Sequence, residues 1–151
     1  MFMELLGKIK LKDNDTLYIL CDILDRGPHP IIKEFLIYEK VFVNGKNYLL
    51  VHAGLGNYSQ EKDIVDYSLH ELIWVRADYD VRYFEDTYVI MGHTSTQTIE
   101  DNPHPGYIYR RNNHIVIDYG SHYPGERLAA LCLDTGEEYY STPNEMEEID
   151  I

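Results

Sequence analysis

The sequence predicts an α/β protein: a mixed sheet flanked by helices and continued by an antiparallel meander. Three observations carry that expectation. Apolar runs of strand length stand at 16–21 (TLYILC), 48–51 (YLLV) and 87–92 (TYVIMG). Stretches with helical spacing precede and separate them. After residue 106 three further short runs follow one another with turn signals and no helical stretch between them. A length of 151 residues suits one core.

Each element has its own warrant. Residues 1–11 read as an amphipathic helix, because Phe2, Leu5, Leu6 and Ile9 recur at i, i+3, i+4 and i+7. A polar turn at 12–15 leads into 16–21, a buried strand by its unbroken apolar character. Residues 22–30 (DILDRGPHP) form a loop. The stretch 31–40 looks helical, entered after Pro30. Asn44-Gly45 between two apolar runs signals a hairpin, since a type I′ turn needs positive φ at both central positions. From 57 to 80 the reading is mostly helical, with Leu69, Leu72, Ile73 and Trp74 as buried candidates. Residues 87–92 form a buried strand ending at His93. Strand-like runs at 107–110, 114–119 and 127–133 follow, with Asn112-Asn113 and Asp134-Thr135-Gly136 as turns and a last strand at 138–140. The domain is expected over 1–142, with 143–151 a loose acidic tail.

Composition excludes several function classes. The chain is 44% hydrophobic and 26% charged, as globular chains are. Its 26 acidic against 13 basic residues give a net charge of −13. Only six of the acids lie in the last fifteen residues, so the body is acidic too. A nucleic-acid partner is not expected, for want of clustered Lys and Arg. An anionic membrane surface is excluded on the same ground. No run approaches the roughly 20 apolar residues of a membrane span, and no signal peptide is read at Met1. Cys21 and Cys132 sit in apolar runs, as buried thiols of a reducing, cytoplasmic compartment would. Fourteen tyrosines are read as packing residues with a hydrogen-bonding tip.

Three polar residues share one placement. Asp22, His52 and His93 each follow an apolar strand-like run, and strand ends are where α/β sheets gather ligands. One carboxylate and two imidazoles suit a first-row divalent metal. Asp25 and Arg26 share the loop with Asp22, and an Arg beside a metal matches two phosphate oxygens with its planar fork. Such residues also serve as turn, cap and packing groups, so their sequence contexts decide. His29, His70, His104, His114 and His122 stand in polar or loop contexts and are expected to face solvent.

Those contexts resemble the calcineurin-like metallophosphoesterases, in the branch of serine/threonine protein phosphatases and bacterial diadenosine-tetraphosphatase-like enzymes. Cys21-Asp22-Ile23-Leu24-Asp25-Arg26-Gly27 is similar to the family's G-D-x-x-D-R-G block with its first Gly replaced. Val51-His52-Ala53-Gly54-Leu55 resembles the strand ending in H-[AG]-G, and Gly92-His93-Thr94 the G-H-T block. Leu72-Ile73-Trp74-Val75-Arg76 is similar to the segment that supplies a second phosphate-binding Arg. Ile117-Asp118-Tyr119-Gly120 and Arg127-Leu128-Ala129-Ala130-Leu131 resemble the closing meander. The likeness runs from about residue 2 to residue 141 and keeps the family's order of blocks.

The resemblance implies a reduced form of the family's αββα sandwich, with 16–21, 48–51 and 87–92 as neighbours in one sheet. It implies Asp22, His52 and His93 as ligands of a divalent metal, with manganese the first expectation and iron, zinc or nickel behind it. Arg26 and Arg76 would hold phosphate, and Asp25 takes the place that orients the family's catalytic His. Two blocks are missing. The D-x-H-G block would stand before Phe2, and no G-N-H-E block follows 31–40; Asn113-His114 reads instead as a turn. Half the metal ligands and the general acid go with them. The function implied is hydrolysis of phosphoester or phosphoprotein substrates, impaired in this chain, with one metal per chain or none. The alternatives are an inactive phosphate-binding or regulatory module, or a fragment of an active phosphatase. A sheet short of a strand should expose an edge or an apolar patch near Tyr18, Leu20 and Val51, and self-association through such an edge is expected.

Overall fold

The computed structural model describes residues 1–20, 36–120 and 125–143. The fold is mixed α/β, with one mixed sheet of five strands and a separate two-stranded sheet. Helix α1 (Phe2–Ile9) is followed by strands β1 (Tyr38–Val43) and β2 (Lys46–Val51), helix α2 (Leu69–Ile73) and strand β3 (Thr87–Met91). Strands β4 (Tyr109–Arg111), β5 (His114–Val116), β6 (Ala129–Leu131) and β7 (Glu138–Tyr140) complete it. The large sheet has the order β1-β2-β3-β5-β4. Its centre, β2-β3-β5, is parallel, and both edges are antiparallel to their neighbours.

The centre is buried on both faces, as a parallel sheet requires. Leu49, Val51, Val89, Met91 and Val116 point to one side, where Leu55, Ile64, Tyr67, Leu72 and Tyr83 cover them. Tyr48, Leu50, Ile90 and Ile115 point to the other, against Ile108, Tyr119 and residues of β6 and β7. Each side chain so buried contributes about 1.5–3 kcal/mol relative to exposure. α1 packs on β6 and β7. Lys8 Nζ donates to the Tyr140 carbonyl at 2.8 Å, and the Glu4 carboxylate accepts from Thr142.

The turns are as the sequence indicates. Asn44 and Gly45 have φ of 48° and 77° in the hairpin between β1 and β2. Asn112 and Asn113 have φ of 47° and 65° between β4 and β5. Their side chains also donate to the carbonyls of Tyr79 and Phe84, which ties this turn to the covering layer.

Several expectations need correction. Residues 16–20 join no sheet, and Leu17, Tyr18 and Ile19 are well exposed. Residues 38–40, expected to continue a helix, belong to β1, because Tyr38, Val41, Phe42 and Val43 suit a strand and the whole run gains a full ladder with β2. The stretch 57–80 is mostly irregular, with a short 3-10 turn at Ile64–Asp66 and α2. Asp63 and Ser68, both extended at ψ 156°, break it into pieces. Ser68 and Glu71 form a capping box for α2, and Lys62 with Ser68 holds the Glu71 carboxyl down at about 2. Leu72 is buried as expected, but Leu69 and Trp74 are exposed. His114, expected in solvent, is fully buried. The predicted apolar patch is present at Leu17–Ile19 and absent at Val51, which is 1% exposed.

Cys132 is a half-buried free thiol. Among the described residues, no helix is long and apolar enough to cross a membrane. The expectations for Cys21, Asp22, Asp25, Arg26, His29 and His122, for 31–35 and for the tail from 144 on lie outside the described residues.

Candidate functional site

Two of the predicted ligands meet at one end of the sheet. β2 and β3 are parallel neighbours with Val51 level with Met91, so the residues following them emerge side by side. The Gly92 N–H donates to the His52 carbonyl at 2.8 Å, extending the ladder by one step. His93 then takes φ 63°, and the Thr94 N–H donates back to the Gly92 carbonyl at 2.7 Å. A histidine in the left-handed region is uncommon and marks a constrained turn. That turn carries the His93 ring over to His52. The ring centroids are 5.1 Å apart, and His52 Nε2 lies 3.3 Å from His93 Nδ1.

His52 is oriented from behind. Its Nδ1 lies 3.0 Å from the Leu20 carbonyl. A carbonyl can only accept, so in this contact Nδ1–H is the donor. This backbone carbonyl is the positioning group that sequence reasoning missed; nothing in the identity of Leu20 encodes it. Gly92 makes the approach possible, since a Cβ there would stand 2.8 Å from the Leu20 oxygen.

A third aromatic ring borders the pair. Trp74 lies with its ring centroid 5.5 Å from that of His93, and it is 65% exposed. α2 ends at Ile73, and the loop after His52 caps it: the Ala53 and Gly56 N–H groups donate to the Leu72 and Glu71 carbonyls at 2.9 and 3.0 Å. Helix end and histidine loop are thereby one unit. The helical spacing placed Trp74 in the core; the early end of α2 turns it outward instead. Arg76 follows on the same segment, exposed to solvent. Tyr79, three residues on, has its phenol pushed up by burial, with the Arg76 charge opposing.

The predicted site is therefore half visible. His52 and His93 are brought together, and Arg76 follows Trp74 out of the same helix end. Asp22, Asp25 and Arg26 lie outside the described residues. Among the described residues no three His, Cys, Asp or Glu side chains gather in a group that could hold a metal. Compared with known proteins, the chain matches no protein-family model, no curated protein and no solved structure.

Proposed function

We propose that this chain is a metallophosphoesterase-like protein of the serine/threonine-phosphatase type, which binds a phosphoester or phosphoprotein at a divalent-metal site and turns it over slowly. One observation carries the reading: the His52–His93 pair at the ends of two parallel strands. Two nitrogens each about 2.0–2.1 Å from one tetrahedral metal stand about 3.3–3.4 Å apart. The observed 3.3 Å fits that span. The Leu20 carbonyl on His52 Nδ1 is the kind of outer support that metal-binding histidines use.

In this reading Asp22 is the third ligand, and the metal is manganese, with iron, zinc or nickel as alternatives. When bound, the metal supplies positive charge that polarises a phosphoryl oxygen. His52 and His93 would hold it, each through a deprotonated ring nitrogen. Arg26 and Arg76 hold phosphate oxygens by charge and fork geometry. Asp25 has no histidine of the missing third block to orient. No residue of the sequence stands in for the general acid, whose loss commonly removes about 10²–10⁴-fold. Binding with little turnover is the expected phenotype, in a reducing cytoplasmic compartment that keeps Cys132 free.

The test pairs manganese binding by titration calorimetry with hydrolysis of an aryl phosphate at saturating Mn²⁺. The expected result is binding that His52→Ala abolishes, with turnover near background in both proteins. Manganese binding equal in the two proteins would sink the site. Robust turnover that vanishes in His52→Ala would keep the site and overturn the impairment.

A further inference from the structure

Burial alternates along residues 74–77. Trp74 and Arg76 are exposed, Val75 is half-buried and Ala77 is buried. Two glycines of the loop after His52 make room for the inward pair. A Cβ on Gly56 would stand 2.3 Å from the Val75 Cβ, and one on Gly54 would stand 2.8 Å from the Ala77 Cβ. Val75 and Ala77 thus seat against that loop, which leaves Trp74 and Arg76 on the open side. Backbone bonds fix the run, since the Trp74 and Val75 N–H groups both donate to the His70 carbonyl, at 3.0 and 3.2 Å.

The fold uses neither outward side chain. Trp74 is the only tryptophan of the chain. Leaving it 65% exposed forgoes the burial that a large aromatic ordinarily gains. Its ring contact among the described residues is with His93, at 5.5 Å between centroids. Arg76 stands apart from the other described arginines. Arg82, Arg110 and Arg111 are ion-paired, and Arg127 lies over the Tyr107 and Tyr140 rings. Arg76 makes no ion pair and no ring contact among the described residues. A fixed, open indole and an uncommitted guanidinium therefore stand two residues apart beside the histidine pair.

We infer that Trp74 and Arg76 form a subsite that selects aromatic phosphoesters: the guanidinium takes the phosphate, and the indole stacks on the ring to which that phosphate is joined. The inference rests on the phosphoesterase reading and names its substrate class. Arg76 offers a planar fork of N–H donors and no acceptor, which suits phosphate oxygens. Its charge opposes a second cation over Trp74, so a basic peptide is the poorer occupant of the indole. A flat ring is the better one, because offset stacking adds to the area it buries. The two Cα atoms are no more than about 7 Å apart. An aryl phosphoester suits that short step, since a single oxygen joins its ring to phosphorus. A nucleotide places a ribose between base and phosphate, and an alkyl ester has no face to stack.

Equilibrium binding to the full chain at saturating Mn²⁺ tests this, by Trp74 fluorescence and by titration calorimetry. Phenyl phosphate and O-phosphotyrosine should bind about three- to tenfold tighter than ethyl phosphate and O-phosphoserine. They should change the indole emission where the alkyl esters do not. By calorimetry, Trp74→Leu should erase the preference and leave manganese affinity unchanged, and Trp74→Phe should restore most of it. Arg76→Gln should weaken aryl and alkyl esters by the same factor, so that their ratio stays as it was. Circular dichroism of each variant checks the fold. Aryl and alkyl esters binding alike, a preference that survives Trp74→Leu, or AMP binding tighter than phenyl phosphate would overturn the inference while the metal site stands. A chain that takes up no manganese, read by calorimetry with no ester present, would sink the metal site and this inference with it.

Discussion

Residues 16–20 and β3 read almost alike in sequence, TLYIL against TYVIM, and fare oppositely in the molecule. β3 lies between β2 and β5, hydrogen-bonded on both sides, with Val89, Ile90 and Met91 buried. Residues 16–20 border a cleft with four of the five residues exposed and only Leu20 partly buried. Both arrive at the same place, since Leu20 and His93 each touch His52. Composition thus sets what a segment can become. Neighbours on both sides decide whether it becomes a central strand, because a lone strand cannot satisfy its own amides or cover its own faces.

The largest expected effect tests that contrast directly. Met91→Ala removes a side chain with no exposure from the middle of the core and should cost about 2–5 kcal/mol. Ile19→Ala, at 43% exposure, should cost less than about 1 kcal/mol in the monomer. Urea unfolding at concentrations low enough to keep the chain monomeric measures both. Equal costs would mean that residues 16–20 are as packed as β3 in solution and would erase the contrast.

Gly92→Ala tests where the two runs touch. The added methyl would meet the Leu20 oxygen at 2.8 Å, so the 16–20 run must retreat or the end of β3 must shift. Overpacking of this kind costs about 1–3 kcal/mol. The diagnostic result is local: the His52 Nδ1–H signal in an imidazole NMR spectrum should move as its carbonyl partner withdraws. A stable Gly92→Ala protein with that signal unmoved would show that Leu20 does not hold His52.

How much was legible in the sequence follows from the same contrast. The Asn44-Gly45 and Asn112-Asn113 turns were legible, because positive φ is a property of the residues themselves. So was the alignment of His52 with His93, since parallel neighbours of matched length must end together. The His52–Leu20 contact was not, because a backbone carbonyl has no sequence signature. Trp74 was misread for a related reason. Its helical spacing counts only while the helix lasts, and α2 ends at Ile73. The burial of His114 escaped notice because polarity and a neighbouring turn suggest the surface. Three tyrosine and turn contacts enclose it instead.

His114 carries the smallest predicted effect. It stands in β5 level with Val89 of β3, so it belongs to the paired region that residues 16–20 lack. Its Nδ1–H donates to the Arg111 carbonyl at 3.2 Å. Its ring meets Tyr79 and Tyr83 edge-on, at 5.8 and 4.4 Å between centroids. Burial pushes its pKa below the ordinary 6.5, with the Arg111 carbonyl and the Asp78 carboxylate opposing only in part. The unfolded chain therefore binds this proton more readily than the folded one. The stability from keeping His114 neutral is fully present above pH 6.5 and is lost progressively as pH falls below it. His114→Phe keeps the ring and removes the titration. Between pH 7.5 and 5.5 the native protein should lose more thermal stability than the variant, by about 2–4 °C for each kcal/mol of linkage. Parallel melting curves for the two proteins across that range would show that acid acts elsewhere, and that the paired core carries no buried base sensitive to pH.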